Sequence, residues 1–75
     1  MTIEINGIYF DQGLQQRYVV LSITTEDRND WVKVIWLSNN TFLGMLESSV
    51  STFPVSAMYP DIYCGQASEL MLALL

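Results

Sequence analysis

Histidine is absent from this chain, cysteine occurs once, at Cys64, and the only basic residues are Arg17, Arg28 and Lys33. Each shortage removes a class of function. Nucleophilic catalysis of the Ser-His or Cys-His kind has no imidazole base, and the usual zinc sets have too few ligands. A lone cysteine forms no intrachain disulfide. Three dispersed cations stand against eight carboxylates, a net charge of −5. Nucleic-acid binding draws much of its affinity from neutralising phosphates, so direct contact with DNA, RNA or an anionic membrane surface is not expected. No run approaches the roughly 18 continuous apolar residues of a membrane span. The opening "MTIEINGIYF" lacks a basic segment followed by an apolar one, so no secretory signal is read there. Cytoplasmic residence is the expectation, in keeping with an unpaired thiol. Gly7, Gly13, Gly44 and Gly65 form no phosphate-binding pattern, and no cofactor is expected.

What the chain has is apolar surface. It is 51% hydrophobic and 15% charged over 75 residues, which is one domain, 1–75. A domain of this size buries only roughly 60–65% of the surface its unfolded chain exposes. Small domains usually supplement such a core with disulfides, a metal or a subunit interface. The first two are unsupported here, so self-association is expected, with a dimer favoured.

Arg17–Thr25 and Trp31–Ser38 are rich in β-branched and aromatic residues, and the polar "EDRND" between them suits a hairpin loop. Asn39 and Asn40 tolerate the left-handed backbone of a two-residue turn, so Thr41–Leu46 is expected to return along the second strand. One face of this meander collects Val19, Leu21, Ile23, Trp31, Ile35, Leu37, Phe42 and Leu46. The other collects Tyr18, Val20, Val32, Val34, Trp36, Leu43 and Met45. A sheet with one wet face alternates apolar with polar residues, and this one does not, so both faces need cover. Further strands are expected at "TIEI" and "IYFD" about Asn6-Gly7, and at "STFPVSAMY", which Pro54 confines to a sheet edge. The fold class is α+β: a small antiparallel sheet, or a partly closed barrel of about five short strands whose spacing resembles the SH3-like class, with one C-terminal amphipathic helix.

That helix is read in "DIYCGQASELMLALL", starting at Pro60 and Asp61. Wound at 100° per residue, Tyr63, Cys64, Ala67, Leu70, Met71, Leu74 and Leu75 share an arc of about 140°, which is docked on the sheet. Cys64 is then a small buried hydrophobe. Ile62 and Leu72 fall on the polar side, and Leu72 marks a surface for a neighbour.

Glu26, Asp27 and Asp30 are close in sequence, but a solvated loop gives no dry environment to raise a carboxyl pKa for acid–base work, and the stretch lacks the pattern of a calcium loop. The chain is therefore expected not to be an enzyme. Tyr18, Trp36, Leu43 and Met45 have the composition of an interface centre, with Glu26, Asp27 and Asp30 as a polar rim that steers a basic partner. The reading is a self-associating protein-interaction module that binds a partner protein through the aromatic sheet face, with Leu72 at an interface. One alternative is an acidic inhibitor of the anti-defence or anti-CRISPR type that blocks a basic nucleic-acid-binding surface. Another is a small-ligand barrel holding an apolar or cationic molecule over Trp31 or Trp36.

Overall fold

The computed structural model describes residues 2–37 and 50–74, with the side chain of Leu74 left aside. The order of elements is β1 (Gly7–Asp11), β2 (Gln16–Glu26), β3 (Asn29–Leu37), β4 (Val50–Pro54), a 3-10 turn (Val55–Met58), β5 (Ile62–Gln66) and helix α1 (Glu69–Leu74). The strands form one antiparallel sheet in the order β4-β3-β2-β1-β5. The small antiparallel sheet is thus the architecture. It remains open, since β4 and β5 stand at opposite edges and the chain passes between them through the 3-10 turn.

The central hairpin is longer and tighter than its polar loop implies. Thr25 pairs with Asp30 and Glu26 with Asn29, leaving only Asp27 and Arg28 in the turn. Both have positive φ, 52° and 68°, the geometry of a two-residue turn whose twist matches its strands. A bulge at Leu21 then shifts the register, since Val20 faces Val34 while Ser22 faces Lys33. The expected faces hold on the near side of the bulge, where Tyr18 pairs with Trp36. Beyond it Ile23 pairs with Val32 and so moves to the Tyr18 face, opposite to the strict alternation read from sequence.

Thr41–Leu46, with Leu43 and Met45, lies outside the described residues. Over Trp31–Ile35 the second edge of β3 is occupied by β4. Pro54 does sit on an edge strand, where its missing N–H costs no ladder bond. The strand expected to run on through Tyr59 instead ends there. The chain turns over the sheet, Met58 becomes fully buried, and Tyr59 is 82% exposed.

The hairpin expected at Asn6-Gly7 is also replaced. Asn6, at φ 66°, lies between β2 and the end of β5: its N–H donates to the Val20 carbonyl at 2.7 Å, and its carbonyl accepts from Ala67 N–H at 2.8 Å. Both edges of β1 are occupied, so "TIEI" has no edge to join. Ile3 packs against the core instead. Gly7 is needed where the chain passes beneath two rings, because a Cβ there would lie 2.9 Å from the Glu4 carbonyl oxygen and 3.1 Å from Tyr9 and Tyr63.

The largest correction concerns the C-terminal helix. Ile62–Gln66 is a strand, and only Glu69–Leu74 is helical. An unpaired β1 edge has obligatory donors and acceptors to satisfy, whereas Gly65 weakens a helix by about 1 kcal/mol. Sheet pairing wins. Cys64 is the extra residue of a bulge facing Ile8 and Tyr9, with Gly65 at φ 122°, and it is exposed, not buried. The helix starts where Ser68 caps it, its Oγ accepting from Met71 N–H at 3.1 Å. Leu70, expected on the docked arc, is 73% exposed. Among the described residues no helix is long and apolar enough to cross a membrane.

The core lies on the Tyr18 face. Tyr9, Tyr18, Val20, Val32, Val34 and Met58 are buried together, with Ile3, Trp36, Phe53 and Val55 packed around them. Fully burying one such aliphatic side chain contributes about 1.5–3 kcal/mol. Val19 and Ile35, on the opposite face, are 0% and 5% exposed, so the middle of the sheet is covered on both sides.

Candidate functional site

Strand pairing gathers aromatic rings at one end of the Tyr18 face. Tyr18 lies at their centre, stacked on Tyr9 at 5.9 Å and meeting Trp36 and Phe53 edge-on at 4.9 and 5.6 Å. Tyr63 tilts against Tyr9 from β5 at 5.3 Å. Such pairs add about 0.5–1.5 kcal/mol each beyond area burial. The rings arrive from β1, β2, β3, β4 and β5, so this cluster ties the sheet together across its width.

A buried tyrosine needs a partner for its hydroxyl. Tyr18 Oη donates to Asp61 Oδ2 at 2.5 Å, bridging β2 to the segment just before β5. Burial pushes the Tyr18 hydroxyl well above its ordinary pKa, and the hydrogen bond to Asp61 and its charge push the same way, with smaller contributions from Asp11 and Tyr9. The proton therefore stays on Tyr18. The Asp61 carboxyl is also raised: burial is the leading cause, Tyr18's hydrogen bond opposes it, and the neighbouring Asp11 charge adds to it.

Asp11, Trp36, Phe53, Ala57 and Asp61 line a cleft of about 100 Å³. Strand β1 ends at Asp11, whose Oδ1 accepts from Leu14 N–H at 3.1 Å and closes the β1–β2 loop. The indole of Trp36 is held by Nε1–H donating to Ser51 Oγ at 3.1 Å. Two carboxylates fifty positions apart in sequence thus meet beside two fixed aromatic rings. The volume lies well below the roughly 300–1,000 Å³ of pockets for drug-sized ligands, so it fits a side-chain head group and not a nucleotide or an organic cofactor. Among the described residues no group of three or more Asp, Glu, His or Cys is placed to hold a metal ion.

The residues singled out in the sequence are scattered by comparison. Tyr18 is fully buried, so it reaches this site only through Asp61 and Trp36. Trp36 is half-buried and lines the cleft. Glu26, Asp27 and Asp30 are exposed at the far hairpin tip, where Thr25 Oγ1 donates to Asp30 Oδ1 at 2.6 Å. Leu72 is half-buried in α1, and Leu43 and Met45 lie outside the described residues.

Asp11 and Asp61 are the residues that sequence reasoning missed. One was read as a strand end and the other as a helix start. The usable signal was Tyr18: a tyrosine on an apolar strand face requires an acceptor, and a distant carboxylate supplies it. No family model, curated protein or solved structure matches the chain, which leaves this geometry to carry the functional reading.

Proposed function

We propose that this protein is a non-enzymatic interaction module that binds a protein partner bearing a basic surface. One observation carries the reading: Asp11 and Asp61 meet at a cleft walled by Trp36 and Phe53. A cation placed there gains from two carboxylates and from the electron-rich faces of aromatic rings, and the low-dielectric wall strengthens both attractions. The net charge of −5 and the exposed tip carboxylates add long-range steering of a basic partner. Binding is favoured over catalysis because Asp61 already accepts the Tyr18 hydroxyl and no histidine is available to shuttle a proton. Cytoplasmic residence belongs to the same proposal, supported by the unpaired, exposed thiol of Cys64.

Self-association is a second part of the reading. Ile62, Tyr63 and Leu70, in β5 and α1, are 49%, 47% and 73% exposed, apolar surface beyond what solvation favours. Amide NMR spectra recorded while a lysine- and arginine-rich peptide is titrated test the principal proposal. Perturbations centred on Asp11, Trp36 and Asp61 are expected. Perturbations confined to Glu26–Asp30 would instead favour the inhibitor reading, with the hairpin tip as the contact. No perturbation at either place would overturn both. Light scattering across a dilution series tests self-association separately, and a concentration-independent monomer would remove it.

A further inference from the structure

The two carboxylates of the cleft are each half engaged. Asp61 Oδ2 accepts from the Tyr18 hydroxyl, and Asp11 Oδ1 accepts from the Leu14 N–H. Among the described residues Asp61 Oδ1 and Asp11 Oδ2 accept no other hydrogen bond, so the acceptors left over belong to two different side chains. A ligand satisfying both must present donors in two directions at once. Trp36 adds a second requirement. Its ring is held by Ser51 and by edge-on contact with Tyr18, so it offers a fixed surface against which a flat group stacks better than a round one.

Basic side chains differ on both counts. A lysine ammonium is a compact point charge with a tightly held hydration shell, and entering the cleft strips that shell. A guanidinium is planar and more weakly hydrated, and its five N–H donors spread around a rigid fork. It can lie against an indole while its edges reach separate carboxylates. The size of the cleft, about 100 Å³, suits such a head group.

Building on the proposed binding of a basic partner, we propose that the cleft formed by Asp11, Asp61, Trp36 and Phe53 is a receptor for an arginine side chain of that partner and discriminates against lysine. Arginine enters over Trp36 with its guanidinium between the two carboxylates. Asp61 is presented by its bond to Tyr18, so the buried aromatic cluster positions the acceptor and does not itself touch the ligand.

The test uses N-acetyl-arginine amide and N-acetyl-lysine amide, which carry one side-chain charge each, titrated against the whole chain. The Trp36 indole N–H resonance is the reporter, assigned with a Trp31→Phe variant. Arginine amide is expected to shift that resonance with an affinity about ten-fold above that of lysine amide, the scale of one charge-assisted hydrogen bond. Asp11→Asn, which leaves the Tyr18–Asp61 bond untouched, and Asp61→Asn, which still offers Tyr18 an acceptor, should each weaken arginine binding by about ten-fold. Neutralising Glu26, Asp27 and Asp30 together removes only long-range attraction that salt screens, so it should weaken arginine binding far less than either cleft variant and should not alter the preference for arginine over lysine. Equal affinity for both amides, or arginine binding indifferent to Asp11→Asn and Asp61→Asn, would overturn the arginine receptor while leaving a basic-partner site in place. A Trp36 resonance moved by neither amide, but moved by the lysine- and arginine-rich peptide, would overturn it in the same way. Silence toward the peptide as well would remove the underlying function.

Discussion

Two groups of carboxylates stand at different places on this molecule. Glu26, Asp27 and Asp30 surround a two-residue turn at the tip of the β2–β3 hairpin and are exposed to water. Asp11 and Asp61 sit partly buried beside Trp36 and Phe53, and Asp61 is tied to the centre of the core through Tyr18. The first group has more charge, and the second has more leverage. At an exposed tip, water and salt screen a charge within about 8–10 Å, so it steers a partner without holding it. Beside apolar walls the same charge acts at lower dielectric and in fixed directions. Environment, and not the number of acids, makes the cleft the candidate site.

Tyr18 serves both the core and the cleft, so its loss should have the largest effect. Tyr18→Ala should cost about 3–5 kcal/mol in chemical denaturation, the range for removing a large buried aromatic side chain. A loss under about 1 kcal/mol would mean that the ring is not the centre of the core.

Tyr18→Phe keeps the ring and removes the hydroxyl. Its cost should lie near about 1.5 kcal/mol, the low end for a hydrogen bond to a charged group, because Asp61 is only half-buried. The variant should also raise the Asp61 carboxyl further, since Tyr18's hydrogen bond is the contribution that holds it down. Carboxyl NMR titration reads this directly, and an unmoved Asp61 would show that the bond does not form.

The pH dependence of stability reports on Asp61. Because the folded-state pKa of Asp61 is raised, the folded chain keeps a proton just above pH 3.8 that the unfolded chain has lost. This contribution to stability is present at low pH and declines as pH rises through that window, the reverse of an ion-paired aspartate. Asp61→Asn should flatten the decline. At the alkaline end Tyr18 stays protonated in the fold when the unfolded chain ionises, so stability should fall above pH 10.0. Tyr18→Phe should lessen that fall, as followed by urea midpoints.

The smallest effect belongs to the tip. Arg28 holds φ at 68°, a conformation glycine adopts without strain, and Asp-Gly is a favoured pair for this turn. Arg28→Gly should raise the thermal midpoint slightly and leave the Trp36 indole N–H resonance in place. A marked loss would mean that the arginine side chain has a structural role at the turn.

Much of the sheet was legible in the sequence because strand period and turn chemistry are local. Tyr18, Val20, Val32, Val34 and Trp36 were placed on one face by alternation, and the register sets Tyr18 opposite Trp36 and Val20 opposite Val34. The bulge at Leu21 was not legible, since one extra residue leaves composition unchanged while reversing every side chain beyond it. The C-terminal segment failed for another reason. Ile62–Gln66 has a helical arc when read alone, and only the vacant edge of β1, more than fifty positions earlier, makes the strand better.

By itself, then, the sequence determined a small, acidic, antiparallel sheet with an apolar centre and no histidine. These follow from composition and from periodicities that span a few residues. Tertiary structure alone decided that Asp61 answers the hydroxyl of Tyr18 and that Asp11 joins it beside Trp36 and Phe53. The physical reason is the cost of an unsatisfied buried polar group: the Tyr18 hydroxyl must find an acceptor wherever the chain can bring one, and chain order does not say where that is.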